Sequence, residues 1–202
     1  MAEHFNIIII GGGPGGLSAT ARAAEMGESH LLLEASPNIA NTISKFQKGK
    51  HVMAEPAVLP IRSKIAFEAG TRETILDTWS ENITTINANL KFNSEVQKIE
   101  RDGNVFRIGT KDSQYTADNI VLSIGIQGNV RKLGVTGEDL EFVQYQLDDP
   151  DEYVDETIVV VGAGDAAIEN ALALSKNNKV IILNRRDEFA RAKEGNLSAI
   201  LS

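Results

Sequence analysis

Three glycines near the start of the chain have the spacing of a phosphate-binding turn. Gly11, Gly13 and Gly16 form the pattern G-x-G-x-x-G directly after the apolar residues 7–10. In such a turn the first glycine permits a tight bend, the second lets the backbone approach a pyrophosphate, and the third allows a close helix–strand contact. The amide groups that open the following helix then face the phosphates. The spacing favours dinucleotide binding, and the alternative is a glycine-rich turn in an unrelated α/β protein.

A strand, a helix and a second strand must position this turn. Residues 7–10 are continuously apolar and β-branched, which is typical of a strand buried on both faces of a parallel sheet. Residues 17–26 predict a helix, and residues 31–33 predict the next buried strand. Glu34 follows that strand, 23 positions after the first glycine. A carboxylate at this place can accept hydrogen bonds from ribose hydroxyls.

A related pattern returns in the last quarter of the chain. Residues 158–161 and 180–183 predict two strands, and residues 168–174 predict a helix between them. Gly162 and Gly164 open the turn that follows the first of these strands. The repeat therefore predicts a second βαβ unit with its own phosphate-binding turn.

The second pattern ends without an acid. Asn184 follows its second strand, and Arg185 and Arg186 come next. Guanidinium groups can bind a ribose 2′-phosphate through paired hydrogen bonds, whereas a carboxylate at this place favours a free ribose. The arginine pair therefore favours NADP at the second turn, and the alternative is the solvated start of a helix.

Composition excludes several other classes of function. With 202 residues, 42% of them hydrophobic and 24% charged, the chain is typical of a globular protein with one or two cores. A net charge of −8 disfavours attraction to nucleic acid or to an anionic membrane. The chain has no cysteine, which rules out a disulfide, a thiolate metal site or a cysteine nucleophile within it. No spacing of His, Asp and Glu predicts a metal site, and no side chain is predicted to act as a catalytic acid, base or nucleophile.

Between the two turns the sequence predicts a β-meander. Residues 90–125 alternate between apolar and polar side chains, with a turn at residues 102–104 and a buried strand at residues 120–123. The fold class is therefore α/β, with a Rossmann-like, three-layer dinucleotide-binding domain that carries the meander and the start of a second Rossmann-like domain after it.

The domain boundaries follow from this order of elements. Residues 1–125 predict the first domain, residues 126–155 an acidic and irregular linker, and residues 156–202 the start of the second domain. No stretch approaches the ~20 apolar residues that span a bilayer, and the first ten residues lack the pattern of a signal peptide. We therefore expect a cytoplasmic protein.

Together these segments resemble the N-terminal part of a flavoprotein with two dinucleotide-binding domains, in the pyridine nucleotide–disulfide oxidoreductase superfamily. The resemblance rests on residues 11–16 with Glu34, then "ADNIVLSIG", "GVTGE", "VVVGAGDAAIENAL" and "NRRDEFARA", which in this order cover nearly the whole chain. The chain is most similar to thioredoxin reductases and to ferredoxin–NADP reductases of the thioredoxin reductase type. The resemblance implies FAD at the first turn, NADPH at the second, and hydride transfer from NADPH to the flavin.

The resemblance also implies which residues contact each cofactor. Those implied for FAD are Gly11, Gly13, Pro14, Gly15, Gly16, Glu34, Ala35, Val96 through its backbone at the adenine, and Gly125 near the flavin. Those implied for NADPH are Gly162, Gly164, Asp165, Ala166, Arg185 and Arg186.

The chain departs from this family in three places. Thioredoxin reductases have a C-x-x-C before the second glycine turn, where this chain has "EFVQYQLDDPDEYVDE", so dithiol exchange through this segment is excluded. Ferredoxin or another carrier is therefore favoured as electron acceptor. Ala190 separates the phenylalanine of "RRDEF" from Arg191, which leaves Arg191 without an assigned role. The Gly-Asp segment that closes the FAD domain is missing, so we expect a piece of a longer enzyme that retains FAD weakly, does not turn over alone, and self-associates as a homodimer through an exposed sheet edge.

Residues 38–64 form the one basic stretch. Residues 43–73, which overlap this stretch, resemble a segment of bacterial fusion proteins that join a cyclic-nucleotide-binding domain, this type of flavoprotein and an iron–sulfur ferredoxin module. The stretch holds Lys45, Lys48, Lys50, Arg62 and Lys64 against Glu55 alone. These cations could steer an acidic ferredoxin, and the alternative is a solvated loop. His51 within it is interpreted as a surface histidine, with a flavin contact as the alternative.

Two other functions stay open at this point. One is a flavin-dependent oxygenase or oxidase that uses the same two sites. The other is a non-catalytic, nucleotide-binding regulatory module.

The arginine pair gives a first test. Replacing Arg185 and Arg186 by alanine should lower the affinity for NADPH at least tenfold and leave NADH binding nearly unchanged, because hydrogen bonds to charged groups contribute about 1.5–3 kcal/mol each. Equilibrium titration with each nucleotide measures both affinities. Equal losses for NADPH and NADH would contradict a 2′-phosphate site at this pair.

Overall fold

The computed structural model describes residues 2–53, 62–65, 68–126, 130–186, 189 and 192–201. Their contacts divide the chain into two compact units, Met1–Lys45 with Gly49–Arg131, and Phe46–Lys48 with Lys132–Ser202. The division falls after residue 131 rather than 125, and most of the expected linker belongs to the second unit. That these units correspond to an FAD domain and a NAD(P) domain remains a prediction.

The first unit is built on a six-stranded mixed sheet. Its strands are β1 (Glu3–Ile10), β2 (His30–Leu33), β5 (Leu90–Lys91), β6 (Val96–Asp102), β7 (Val105–Thr110) and β8 (Gln114–Leu122). Their order across the sheet is β5-β2-β1-β8-β7-β6. The first four in that order are parallel, and the last two are antiparallel to their neighbours.

Three helices and a small strand pair complete the first unit. They are α1 (Pro14–Glu25), α2 (Asn41–Ser44) and α3 (Arg72–Thr85), with β3 (His51–Val52) and β4 (Gly70–Thr71). The helix expected at residues 17–26 begins three residues earlier, because Pro14 occupies the first helical position, where its missing N–H has no partner to lose.

The core of the first unit confirms the expected buried strands. Ile8, Ile9 and Leu32 have no exposed surface, and Leu33 is 1% exposed. The side chains of β1 and β2 thus pack on both faces, as the continuous apolar runs predicted. Trp79 on α3 is buried as well.

The expected buried strand at residues 120–123 is only partly correct. β8 ends at Leu122, where the side chain is 64% exposed, and Val121 is 36% exposed. The reason lies in the register. β7 pairs with β8 only as far as Ala117. The last part of β8 therefore has a strand neighbour, β1, on one side only.

The meander between residues 90 and 125 is confirmed. β6 and β7 form an antiparallel pair that turns at Gly103, whose φ of 61° suits a glycine. β7 then pairs antiparallel with β8. Because β8 also pairs with β1, the meander continues the parallel sheet.

The second unit contains the expected second βαβ arrangement. Its elements are β9 (Thr157–Val161), α4 (Asp165–Leu174), β10 (Lys179–Leu183) and α5 (Glu194–Leu201), with a short 3₁₀ helix at Pro150–Glu152. β9 and β10 are parallel. In the part of the chain that the structure describes, no helix is both long enough and apolar enough to cross a membrane.

One face of this small sheet is exposed. The exposed side chains alternate along both strands and include Val159 at 50% and Leu183 at 53%. Ile168 of α4, in contrast, is fully buried. A parallel sheet is normally covered on both faces, whereas a single βαβ unit covers only one.

A carboxylate orders the segment that was expected to be an irregular linker. Glu138 accepts hydrogen bonds from the amides of Leu133, at 2.5 Å, and Gly134, at 2.7 Å, and from the Tyr145 hydroxyl, at 2.5 Å. The Tyr145 hydroxyl, followed by the Leu133 amide, lowers the pKa of Glu138 to about 2. The same bond raises the pKa of Tyr145 to about 12. In this irregular segment the side chain of Glu138 pairs backbone amides that have no partner in a helix or strand.

This carboxylate predicts a defined dependence of stability on pH. The folded-state pKa of Glu138 lies below its ordinary value of 4.5, so its stabilisation is complete above pH 4.5 and is lost as the pH falls towards about 2. We expect the difference in unfolding free energy between the wild type and Glu138→Gln, measured by urea denaturation, to shrink over that range. Glu141→Gln, at an exposed neighbour, should show no such change. A difference that stays constant with pH would argue against this role of Glu138.

Candidate nucleotide-binding sites

The first turn is held by backbone contacts that require glycine. Gly11 has a φ of 101°, and its amide donates a hydrogen bond to the Leu33 carbonyl at 2.9 Å. A Cβ atom on Gly11 would lie 2.4 Å from the carbonyl oxygen of Ser123. A Cβ atom on Gly16 would lie 1.8 Å from the carbonyl oxygen of Gly11. No other residue fits at either position without moving the turn.

The second glycine of this turn has open space beside it. A Cβ atom on Gly13 would meet no atom within 4 Å. Gly13 is the N-cap of α1 and has no side chain to cap the helix, so the first amides of α1 lack a side-chain acceptor. Unpaired amides at a helix N-terminus, together with open space, fit a pyrophosphate.

Glu34 does more than the sequence predicted. Its Oε2 atom accepts the amide of Gly12 at 2.5 Å, and its Oε1 atom accepts the amide of Ser36 at 2.8 Å. The side chain is buried, with 8% of the residue exposed. The carboxylate therefore braces the turn itself. Each carboxylate oxygen has a second acceptor position, so the predicted bond from a ribose hydroxyl remains available.

The structure also describes Ala35, Val96 and Gly125, the other residues predicted for the first site. Ala35 is exposed beside Glu34. The Ser94 amide donates to the Glu34 carbonyl at 2.8 Å, and Val96 begins β6 two residues later. Gly125 has a φ of 70° and lies three residues beyond the end of β8. Their contacts with a cofactor remain predictions.

Sequence reasoning missed Ser123. Its amide donates to the Ile10 carbonyl at 2.8 Å, its carbonyl closes over Gly11, and its hydroxyl oxygen would lie 2.7 Å from a Cβ atom on Gly15. A side chain on Gly15 would therefore require the Ser123 hydroxyl to rotate away. Ser123 is more than 100 positions from the turn, and no local pattern links the two.

The second turn repeats the construction of the first. Gly162 has a φ of 128°, and its amide donates to the Leu183 carbonyl at 2.9 Å. Gly164 is the N-cap of α4 without a side-chain cap, and a Cβ atom there would meet nothing within 4 Å. Ala167 takes the place of the third glycine, and a Cβ atom on Gly162 would lie 3.5 Å from the Ala167 Cβ, an ordinary contact. This turn therefore also fits a pyrophosphate.

The residues predicted around the second turn have different surroundings. Arg185 and Arg186 are exposed two and three residues after the end of β10 and form no ion pair with any residue that the structure describes. Asp165 and Ala166 open α4, and the Asp165 carboxylate accepts two hydrogen bonds from the α5 region. Arg191 lies outside the described residues. Contact of Arg185, Arg186, Asp165 and Ala166 with NADPH stays a prediction.

The basic stretch is only partly described, because Glu55 lies outside the described residues. Lys48 Nζ bonds to Asp149 Oδ2 at 2.7 Å, and this bond raises the pKa of Lys48. Its charge is therefore matched within the chain and contributes little to the predicted steering. His51 is exposed on β3, in agreement with a surface histidine.

A family profile described as "Pyridine nucleotide-disulphide oxidoreductase" matches residues 8–202. A ferredoxin–NADP reductase of Ignicoccus hospitalis is 28% identical over 184 residues, 90% of this chain and 57% of the relative. A bacilliredoxin reductase of Bacillus subtilis is 29% identical over 189 residues, 91% of this chain and 58% of the relative. The chain thus spans less than two thirds of the length of these relatives.

A solved structure shows the same fold. The bacillithiol disulfide reductase of Staphylococcus aureus has a TM-score of 0.83 and 24% identity, covering 98% of this chain and 63% of that chain. The likeness confirms the α/β fold class, with a Rossmann-like domain, a meander and the following βαβ unit.

The hydrogen bonds of Glu34 predict that this residue stabilises the protein even without a bound cofactor. Glu34→Ala should lower the free energy of unfolding of the cofactor-free protein by about 1–3 kcal/mol, because the amides of Gly12 and Ser36 lose a buried acceptor. Chemical denaturation without added nucleotide measures this. Glu95→Ala, at an exposed acid nearby, should change the value by less than about 0.5 kcal/mol. Equal effects from the two variants would contradict the bracing role.

Proposed function

The chain belongs to the pyridine nucleotide-disulphide oxidoreductase family, and on that premise we propose that the protein is an FAD-dependent oxidoreductase. It takes reducing equivalents from NADPH and passes electrons to a carrier protein such as ferredoxin. One observation carries the proposal: two phosphate turns of the same construction occur on one chain and end in opposite charges. The first ends at Glu34, and the second at Arg185 and Arg186.

At the first turn the charges favour a dinucleotide with a free ribose. The buried Glu34 carboxylate stands at the end of β2, held to the turn through the Gly12 amide. A 2′-phosphate near this carboxylate would be repelled, whereas ribose hydroxyls can donate to it. The uncapped start of α1 provides amides for the pyrophosphate. These groups suit FAD.

At the second turn the charges favour the phosphorylated nucleotide. The start of α4 provides uncapped amides in the same way, and no carboxylate stands at the end of β10. Arg185 and Arg186 are exposed there, so their guanidinium groups are accessible to a 2′-phosphate. These groups suit NADPH.

The protein's part in the reaction is to bind and orient. When bound, FAD supplies the redox chemistry, since a flavin accepts a hydride from a reduced nicotinamide and releases electrons singly or in pairs. The two turns fix the pyrophosphates by backbone amides, and the acid and the arginines select the ribose. No side chain is assigned a proton transfer.

The electron acceptor is proposed from two observations. This chain has no cysteine, so it supplies no dithiol, and the relative in Ignicoccus hospitalis is named a ferredoxin–NADP reductase. Ferredoxin is therefore the first candidate. The Bacillus subtilis relative is named a bacilliredoxin reductase, which makes a bacilliredoxin the second candidate.

Spectroscopy of the purified protein tests this proposal. Because the chain is expected to retain FAD weakly, titration is carried out with FAD in excess and should give a yellow protein. Anaerobic NADPH should then bleach the flavin band in a single reduction faster than NADH does. Reoxidation is then followed with ferredoxin, with bacilliredoxin and with oxygen alone. Failure to take up FAD, or a bound flavin that NADPH does not bleach, would contradict the proposal. Rapid reoxidation by oxygen without a carrier would favour an oxidase.

A further inference from the structure

One carboxylate ties the chain after the arginine pair to the second phosphate turn. Asp165 is the first residue of α4, directly after Gly164. Its Oδ1 atom accepts the backbone amide of Lys193 at 2.8 Å and the Nδ2 atom of Asn196 at 2.9 Å. Both donors lie at the start of α5. The carboxylate therefore joins the start of α4 to the start of α5.

A second acid on α4 supports the same contact. Glu169 is four residues after Asp165, so the two acids lie on one face of the helix. The Nδ2 atom of Asn196, which bonds to Asp165, also donates to Glu169 Oε1 at 3.1 Å. Two acceptors one helical turn apart fix where the start of α5 lies along α4.

The chain that carries the arginines is thus anchored on both sides. On one side the Gly162 amide holds the Leu183 carbonyl at 2.9 Å, and Arg185 follows two residues later. On the other side the chain returns at Lys193, seven positions after Arg186, and is held by Asp165. One anchoring group, the Gly162 amide, lies in the phosphate turn, and the other, the Asp165 carboxylate, lies at the first residue of α4.

Anchoring of this kind changes the free energy of binding. An acid beside a phosphate-binding turn would by itself weaken anion binding through charge repulsion. Its effect through α5 has the opposite sign, because a stretch of chain whose two ends are held has fewer conformations to lose when its side chains bind a ligand. This gain in binding free energy applies only to ligand groups that the side chains of the anchored segment contact.

We propose that Asp165 is a positioning residue for nucleotide selectivity. By holding Lys193 and Asn196, it keeps Arg185 and Arg186 close to the phosphate turn and so favours a nucleotide that carries a 2′-phosphate. This inference rests on the proposed binding of NADPH at the second turn.

Calorimetric titration of the purified protein with adenosine 2′,5′-bisphosphate and with ADP tests the proposal without turnover. The wild type should prefer the bisphosphate. Asp165→Ala should reduce the preference for the bisphosphate over ADP about fivefold, which corresponds to the net contribution of one intramolecular hydrogen bond. Asp165→Asn keeps an oxygen that can accept both bonds, and it should retain most of the preference.

Each outcome decides the question. A wild type that binds both ligands equally overturns the NADPH assignment together with this inference. A wild type that prefers the bisphosphate, with the preference intact in Asp165→Ala or with equal losses for both ligands, overturns only the role of Asp165. If circular dichroism shows that Asp165→Ala does not fold, Asn196→Ala decides instead. A selective loss of bisphosphate affinity in that variant supports the proposal, and an unchanged preference overturns it.

Discussion

The first unit depends on a backbone contact that leaves no room for a side chain. A Cβ atom on Gly16 would lie only 1.8 Å from the Gly11 carbonyl oxygen. The start of α1 therefore packs directly against the turn that precedes it. The Gly11 amide is bonded to the Leu33 carbonyl, which ties the same turn to β2. Turn, helix and second strand therefore have one arrangement, and it brings the amides of α1 to the end of the sheet where Glu34 lies. The proposed nucleotide contacts of this unit depend on that arrangement.

The two turns use a carboxylate for the same structural purpose at different places. At the first turn Glu34 holds the Gly12 amide from the end of β2. At the second, Asp165 holds the Lys193 amide from the start of α4. In both cases an acid near an expected phosphate is stabilised by backbone N–H donors, which offsets the repulsion that it would otherwise exert. The acid at the first turn can also contact a ribose, while the acid at the second is directed at α5.

The second unit shows how side-chain bonds can replace regular structure. The segment that holds Glu138 has few residues in helices or strands, yet two amides and one hydroxyl converge on this carboxylate. The resulting low pKa of Glu138 records how strongly the surroundings favour the charged form. The βαβ part of the unit has the opposite character. Its elements are regular, while one face of its sheet carries exposed aliphatic side chains.

The sequence by itself determined the local elements and predicted the type of ligand. Continuous apolar runs predicted β1 and β2, the glycine spacing predicted both turns, and the opposite charges of Glu34 and Arg185 distinguished the two. Within each βαβ unit these features lie within about 30 residues of one another, so strand and helix periodicity and the steric freedom of glycine are enough to predict them.

Only the tertiary structure decided which distant groups meet. The closure of Ser123 over Gly11, the bond from Gly12 to Glu34 and the anchoring of Lys193 on Asp165 depend on strand register and on side-chain rotamers. The exposure of Leu122 has the same origin, because the pairing of β7 with β8 ends before that residue. Sequence patterns record which residues can be buried or can turn, but such contacts arise when separate segments are packed together, and no local period encodes them.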